Sequence, residues 1–173
     1  MPSLLEITNT IRRNDVKGPM LLRFPHLVKR QIETLYSYFS KAIKENNYRG
    51  SFNAVFPLKV NQFPSAVEAI TSQGKKYNYG LEAGSKAELI LAMSKTPSGA
   101  HITVNGFKDK EMLTLGFMAA QSGHNITITI EGLNELETII DVASECSLKV
   151  PHIGIRVRLH SAGSGVWAKS GGM

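Results

Sequence analysis

Segments typical of strands and segments typical of helices alternate along most of the chain, and this alternation restricts the fold more than any other feature. Apolar runs typical of buried strands recur about every 25 residues, and a stretch with helical periodicity separates each run from the next. The predicted strands are Phe52–Leu58, Tyr77–Leu81, His101–Val104, Ile126–Ile130 and Ile153–Leu159. Because strands that alternate with helices form right-handed βαβ units, the sequence predicts an α/β fold with a parallel sheet.

The predicted helices have recognisable beginnings and ends. The clearest one has apolar residues three or four positions apart on a single face. Pro64 suits the first turn of the next helix, and Ser85 with Glu88 forms an S-x-x-E capping box at the start of another. The predicted helices cover residues 27–44, 64–74, 85–93, 109–121 and 133–146.

Two architectures contain such βα units. Five strands in 173 residues fit a small doubly wound domain, whereas a complete (β/α)8 barrel takes about 250 residues. Polar residues, however, follow or end every predicted strand: Lys59, Glu82, Asn105, Glu131, and the pair Arg156 and Arg158. Five contributing strands favour a ring, because an open sheet concentrates its ligand site at one switch point. The sequence therefore predicts a partial (β/α)8 barrel, with a small doubly wound binding domain as the alternative.

The end of the chain bears on the extent of this domain. Residues 160–173 contain four glycines and three serines and no apolar periodicity, so they are predicted to form a loop. A chain that stops inside such a loop suggests truncation. We therefore expect residues 1–173 to form one incomplete barrel domain.

Charge and composition exclude several classes of protein. The net charge of +6 comes mainly from residues 1–50, where the basic residues are spread along a predicted helix face. This pattern does not indicate a nucleic-acid partner. The single cysteine, Cys146, excludes an internal disulfide, and no apolar run is long enough for a membrane span. We therefore expect a cytoplasmic protein with neither membrane nor nucleic acid as a partner.

Lys59 and Glu82 are the candidates for chemistry at the strand ends. Lys59 follows the most apolar predicted strand, and a lysine that is desolvated there could react as a neutral amine with a carbonyl group to form a Schiff base. The alternative is a lysine that simply leaves the strand into water. Glu82 has no local duty at the end of its strand, whereas the capping box already accounts for Glu88.

The remaining polar patterns are less specific. Arg156 and Arg158 share one face of their strand, so both point either into a barrel, where they would need anionic partners, or towards the helices. The five histidines lack metal-ligand spacing, and we predict no metal site built by this chain alone. The glycine-rich stretch 161–165 is a weak phosphate-binding signal, because no helix follows it.

Four motifs in a fixed order give the sequence a more specific likeness. They are Phe56–Gln62 (FPLKVNQ), Gly80–Leu89 (GLEAGSKAEL), Asn105–Asp109 (NGFKD) and Gly163–Trp167 (GSGVW). From about residue 18 to its end, the chain resembles the biosynthetic arginine decarboxylases of bacteria. That family is similar to alanine racemase and ornithine decarboxylase, which use pyridoxal 5′-phosphate (PLP) at the mouth of a (β/α)8 barrel.

The resemblance implies roles for four residues. Lys59 would hold PLP as a Schiff base, and the reaction would convert L-arginine to agmatine and CO₂ in polyamine biosynthesis. By analogy with ornithine decarboxylase, Glu82 would lie beside the cofactor, Glu88 would be a second carboxylate near it, and Arg156 would lie at the barrel mouth.

The resemblance also implies parts beyond this chain. Members of the family form homo-oligomers, and the resemblance implies a magnesium requirement. They also have further cofactor-binding residues and a carboxyl-terminal β-domain after the region matched here. We therefore expect this 173-residue piece to be inactive alone. A related decarboxylase acting on ornithine, lysine or diaminopimelate stays open as an alternative, because most residues that would grip the substrate tail lie outside the chain.

Overall fold

The computed structural model describes residues 2–157. Two helices, α1 (Leu4–Arg13) and α2 (Pro25–Glu45), come before the first strand. The strands are β1 (Val55–Pro57), β2 (Gly80–Ala83), β3 (His101–Val104), β4 (Asn125–Ile130) and β5 (His152–Ile155). The helices between them are α3 (Pro64–Gly74), α4 (Lys86–Lys95), α5 (Lys110–Gln121) and α6 (Leu133–Glu145). The predicted α/β alternation is confirmed.

The five strands form one sheet in which every neighbouring pair is parallel. The strand order is β1-β2-β3-β4-β5, and Ile102 of β3 lies between Leu81 of β2 and Ile126 of β4. A doubly wound sheet must reverse its strand order once, whereas a barrel adds each strand beside the preceding one. The sequential order is that of part of a (β/α)8 barrel, which confirms the predicted fold class.

The core lies between the sheet and the helices that cover its outer face. In β4, Ile126, Ile128 and Ile130 are buried while the threonines between them are only partly buried, so alternate residues point to opposite faces of the sheet. Leu113 and Phe117 of α5 belong to the same core and have no exposed surface. The isoleucines of β4 thus face the core beneath the helices, and the threonines, including Thr129, face the other side of the sheet.

Two predicted strands begin too early because their first aromatic residues pack against α2. Phe52 stacks on Phe39, with ring centroids 3.7 Å apart, and Tyr77 stacks on Tyr36 at 4.4 Å. The Tyr36 hydroxyl accepts a hydrogen bond from the Ala54 backbone N–H at 3.2 Å. These aromatic residues therefore attach α2 to the sheet. Within residues 2–157, β1 is short, half-buried and paired on one side, whereas a buried strand was predicted.

The amino-terminal helix α1 was not predicted. Ser3 and Glu6 form a complete capping box, in which each side chain accepts a hydrogen bond from the other residue's backbone N–H. The S-x-x-E pattern was therefore present in the sequence, and no helix residue of α1 is buried. No helix in the described part of the chain is both long and apolar enough to span a bilayer.

The strands β2 and β3 approach each other so closely at Gly80 that only glycine fits there. A Cβ at this position would lie 1.9 Å from the His101 carbonyl oxygen. The parallel pairing continues to Ala83 and Val104, so the carboxyl ends of β2 and β3 lie side by side. Glu82 and Asn105 therefore lie on adjacent strand ends.

Candidate active site

An open cavity of about 820 Å³ lies where the carboxyl ends of the five strands meet. Every strand or the segment that directly follows it contributes to its wall. Of the polar residues that the sequence placed at the strand ends, Lys59, Glu82, Asn105 and Arg156 line the cavity, but β4 contributes Thr129 in place of Glu131. The lining residues are Val55, Pro57, Lys59, Glu82, Gly84, Asn105, Gly106, Thr129, Ile155, Arg156 and Val157. Ligands bind at this end of the strands in parallel α/β folds, so this cavity is the candidate active site.

Lys59 lies in a single 3-10 turn, Leu58–Val60, directly after β1. Leu58 is completely buried and anchors the turn, while the side chain of Lys59 is exposed at the cavity. Within the part of the chain that the structure describes, Lys59 is exposed, so the desolvation expected from an apolar strand is not observed there. Lys59 is the only lysine among the described cavity-lining residues.

Glu82 occupies the third position of β2 and is 7% exposed. It lies opposite Pro57 of β1 and Thr103 of β3, so strands cover it on both sides. Glu82 was predicted to end its strand, but β2 continues to Ala83. The carboxylate therefore lies in the cavity wall on a rigid strand.

Glu88 is buried behind the cavity wall and is not among the residues that line it. Its Oε2 accepts a hydrogen bond from the Gly84 backbone N–H at 2.7 Å, and its Oε1 accepts one from Gln62 Nε2 at 2.5 Å. Ser85 Oγ accepts from the Glu88 N–H, so one half of the predicted capping box is confirmed. The other half is wrong, because the carboxylate binds Gly84 and Gln62 instead of the Ser85 backbone.

The turn after β3 packs directly against the turn after β2. Gly106 has a positive φ of 83°, and a Cβ there would lie 2.6 Å from the Gly84 carbonyl oxygen. Asn105 donates its backbone N–H to the Ala83 carbonyl at 2.9 Å. The NGFKD motif therefore needs its glycine both for the backbone conformation and for the close contact.

Arg156 follows β5 and lines the cavity. Its Nη1 donates to Glu131 Oε1 at 2.9 Å, and its backbone N–H donates to the Ile130 carbonyl at 2.9 Å. The ion pair is about half exposed, so the arginine keeps access to the cavity. Arg158, the predicted companion of Arg156, lies outside the described residues, as does the GSGVW motif.

An exposed ion pair joins the second and third motifs. Lys86 Nζ lies 2.7 Å from Asp109 Oδ2, and Asp109 Oδ1 also accepts from the Met112 backbone N–H at the start of α5. The hydrogen bond from Lys86 lowers the pKa of Asp109, and the same contact raises the pKa of Lys86. Both groups are thus held charged at neutral pH, outside the cavity.

Lys108 is the residue of this region that sequence reasoning missed. Its side chain is 0% exposed, and its Nζ pairs with Glu135 Oε1 at 3.1 Å and donates to the Gly106 carbonyl. A lysine in a turn between Phe107 and Asp109 gives no local sign of burial. Its partner is on the next helix, so only tertiary structure reveals the pair.

The cavity has the groups that bind a carbonyl compound carrying negative charge. Lys59 supplies a primary amine, Glu82 supplies a carboxylate, and Arg156 supplies a guanidinium group. The rest of the wall is mixed: β1 and the end of β5 contribute apolar side chains, and the segments after β2 and β3 and the strand β4 contribute Gly84, Asn105, Gly106 and Thr129. Within the described residues, no group of three or more His, Cys, Asp or Glu side chains is arranged to hold a metal ion.

Comparison with known proteins assigns this architecture to a class. Residues 29–173 match the family model for the pyridoxal-binding domain of pyridoxal-dependent decarboxylases. The chain therefore belongs to the pyridoxal-dependent decarboxylase family. This confirms the resemblance noted from the four motifs.

Within that family the chain is similar to biosynthetic arginine decarboxylases. It is 42% identical over 171 residues to the enzyme of Bacteroides thetaiotaomicron, covering 98% of this chain and 27% of the relative. It is 41% identical over 171 residues to the enzyme of Deinococcus radiodurans, covering 98% of this chain and 26% of the relative. The chain thus spans about a quarter of the length of these relatives.

A solved structure gives the same result for the fold. The crystal structure of the biosynthetic arginine decarboxylase from Campylobacter jejuni is 60% identical, with a TM-score of 0.88. The match covers 92% of this chain and 27% of that chain.

The cavity groups fit a pyridoxal cofactor. An aldehyde needs a primary amine, which Lys59 offers in an exposed position, and an anionic ring substituent needs a cation, which Arg156 offers. Glu82 adds a carboxylate to the same wall.

Proposed function

We propose that Lys59 binds PLP and that this chain supplies part of the active site of an arginine decarboxylase. The observation that carries the proposal is the position of Lys59, the one lysine lining the described wall of a cavity formed by all five strand ends. The family and the similarity to arginine decarboxylases support it. We propose that residues 1–173 form an incomplete PLP-binding barrel domain.

The reaction would release the α-carboxylate of L-arginine as CO₂. The bond from Cα to the carboxylate breaks, a proton takes the place of the carboxylate on Cα, and the product is agmatine. When bound, PLP supplies the electron sink for the pair of electrons left on Cα. We place this reaction in polyamine biosynthesis.

The chain's own residues would bind and orient the reacting groups. Lys59 Nζ is the nucleophile for the cofactor aldehyde, and its turn is fixed by buried Leu58. Glu82 places a carboxylate in the same cavity wall, on a strand that is paired on both sides. Arg156 contributes the positive charge of the opposite wall, where Glu131 orients it.

Glu88 would act as a positioning residue. It connects Gln62, three residues after Lys59, to the Gly84 N–H of the neighbouring turn. Through these two contacts it fixes the distance between the Lys59 turn and the wall formed by Glu82 and Gly84. We therefore assign Glu88 a structural role near the cofactor in place of direct contact.

Three further properties belong to the proposal. We propose that the complete protein is a homo-oligomer, that magnesium supports its activity, and that it works in the cytoplasm, where its one cysteine stays reduced. Magnesium dependence is tested by assaying activity after chelation and after metal is restored. Sedimentation of the complete protein tests the oligomeric state.

The function is best tested in a complete barrel. We define the chimera as the Campylobacter jejuni arginine decarboxylase in which this chain replaces the segment that matches it. We expect the chimera to bind PLP and to release CO₂ from L-arginine in preference to ornithine, lysine or diaminopimelate. Preference for another of these amino acids would overturn the proposed substrate while keeping the cofactor assignment.

Substitutions at Lys59 test the covalent role. Lys59→Ala should lower turnover by orders of magnitude, and Lys59→Arg should do the same, because an arginine keeps the charge but stays protonated. Lys44→Ala, at an exposed position in α2, is the control and should leave turnover unchanged. Substantial activity of the Lys59→Arg variant would reduce Lys59 to an electrostatic role.

Chemical trapping gives a second readout. Borohydride reduction of the PLP-loaded chimera, followed by peptide mapping, should place the pyridoxyl label on Lys59. A label on any other lysine would end the assignment.

A further inference from the structure

The ion pair between Lys108 and Glu135 needs an explanation beyond the proposed role of Lys59. The Lys108 side chain is 0% exposed and that of Glu135 is 14% exposed. Burying charged groups is costly unless each is paired and hydrogen-bonded, and two apolar residues of similar size would often be as stable. Stability alone is therefore a weak explanation for this pair.

The ammonium group of Lys108 is fixed from two directions. It donates to the Gly106 carbonyl within its own turn and lies 3.1 Å from Glu135 Oε1 in the first turn of α6. Gly106 lines the cavity, whereas Lys108 does not. The lysine thus connects the cavity wall after β3 to the helix after β4.

Glu135 continues the connection with its second oxygen. Its Oε2 accepts a hydrogen bond from the Glu131 backbone N–H at 2.7 Å. Glu131 comes directly after β4, and its own carboxylate accepts from Arg156 Nη1 at 2.9 Å. A continuous series of polar contacts therefore runs from buried Lys108, through Glu135 and Glu131, to the guanidinium group at the cavity.

Each contact in this series fixes the next. Lys108 prevents the Glu135 carboxylate from rotating, because one of its oxygens is held at the ammonium group. The other oxygen accepts the Glu131 N–H and so fixes the backbone of Glu131. The Glu131 side chain, which binds Arg156, starts from this fixed backbone position. Without Lys108, Glu135 would be a largely buried carboxylate without its cation and would turn towards water.

We propose that Lys108 is a positioning residue that sets the orientation of Arg156 through Glu135 and Glu131, and thereby the affinity of the cavity for its anionic cofactor. This inference rests on the proposed function, because it takes PLP as the ligand of the cavity. It assigns Lys108 no contact with the cofactor. Lys59 and Lys108 then have different tasks in the same site.

The test measures PLP affinity in the chimera by absorbance titration, so that no turnover is needed. Lys108→Met removes the charge at similar length and should raise the dissociation constant of PLP about tenfold, the effect of losing a hydrogen bond to a charged group. Lys110→Met is the matched control. Lys110 is exposed and pairs with Glu145 at 2.6 Å on the outer surface, so its loss should leave the PLP dissociation constant unchanged.

A double variant separates positioning from stability. Lys108→Met combined with Glu135→Leu leaves no unpaired buried charge and should restore the melting temperature to near that of the unsubstituted chimera. The PLP dissociation constant should remain raised, because the Glu131 N–H still lacks its acceptor. If the double variant recovered both the melting temperature and the PLP affinity, Lys108 would have only a structural role and the inference would be overturned.

The route through Arg156 is tested by a double-mutant cycle. In a chimera that already carries Arg156→Ala, Lys108→Met should cause no further loss of PLP affinity, because Lys108 acts on PLP through that arginine. Additive losses would overturn the inference while leaving PLP binding at Lys59 intact. Failure of the unsubstituted chimera to bind PLP would instead overturn the proposed function and this inference with it.

Discussion

The turns that follow β1 and β3 each carry a lysine, and the two side chains have opposite environments. Lys59 is exposed at the cavity, whereas Lys108 is completely buried and paired with Glu135. An amine that reacts with an aldehyde must reach the ligand, whereas the Lys108 side chain does not line the cavity and is held by Glu135. A position after a barrel strand therefore does not by itself make a lysine reactive. Its exposure and its ion-pair partners determine whether its amine is available to a ligand.

The largest expected difference between the two turns is in stability. Lys108→Met leaves Glu135 without its cation and should lower the free energy of unfolding by about 3–5 kcal/mol. Lys59→Met, at an exposed position, should change it by no more than about 0.5 kcal/mol. Urea unfolding of the two chimera variants measures both values. Equal losses of unfolding free energy would mean that the two lysines are equally buried and paired in the complete barrel.

A glycine-to-alanine change tests how tightly the Lys108 turn is packed. Gly106→Ala places a Cβ at a positive φ and 2.6 Å from the Gly84 carbonyl oxygen, and should cost about 2–3 kcal/mol. Gly84→Ala is the matched control, because its Cβ would meet only Glu88 Oε2 at 3.5 Å. Urea unfolding should separate the two variants clearly. Similar small losses would show that the turn after β3 can move aside.

The hydrogen bond that attaches the Lys59 turn should contribute less to stability than the packing of the Lys108 turn. Gln62→Ala removes the donor to Glu88 Oε1 and should cost about 1 kcal/mol. Gln62→Glu has nearly the same shape but brings two carboxylates together, so it should cost more at neutral pH than at acid pH. Melting temperatures at the two pH values check this. A Gln62→Glu variant as stable as the unsubstituted chimera at neutral pH would contradict the contact.

The smallest effect should come from the exposed pair between Lys86 and Asp109. Asp109→Asn keeps a good helix cap and removes only the charge. Because Lys86 lowers the pKa of Asp109 below its ordinary value of 3.8, the stabilisation is present above that value and is lost as the pH falls through the lowered pKa. The melting temperatures of the Asp109→Asn and unsubstituted chimeras should therefore converge on acidification and at high salt. A difference in melting temperature that persists in strong acid would show that the ion pair between Lys86 and Asp109 is not its cause.

The two turns also show what the sequence could predict. Strand period and helix caps predicted the order of elements, and the rule that barrel sites lie at strand carboxyl ends predicted a site to which several strands contribute. The residues alone left the orientation of Arg156 open, and only the family resemblance placed it at the barrel mouth. These inferences depend on local patterns and on one topological rule. Their success reflects the repetition of the same βα unit.

Contacts between distant segments could not be predicted in this way. Glu88 looked fully explained by the capping box because nothing local indicated that Gln62 would bind its carboxylate. Phe52 and Tyr77 have high strand propensity, yet their burial against α2 decides where β1 and β2 begin. The same limit hid Lys108, whose partner lies beyond an entire helix and strand.

The sequential strand order has a consequence for how the protein is made. Among the described strands, each one after β1 pairs with the strand synthesised just before it. At ribosomal rates a unit of this length emerges in about 1–5 s, whereas helices and hairpins form within about 10 μs. We therefore expect the nascent chain to fold one unit at a time on the ribosome. At each stage the newest strand presents an open edge, which is the state most exposed to capture by a neighbouring nascent chain.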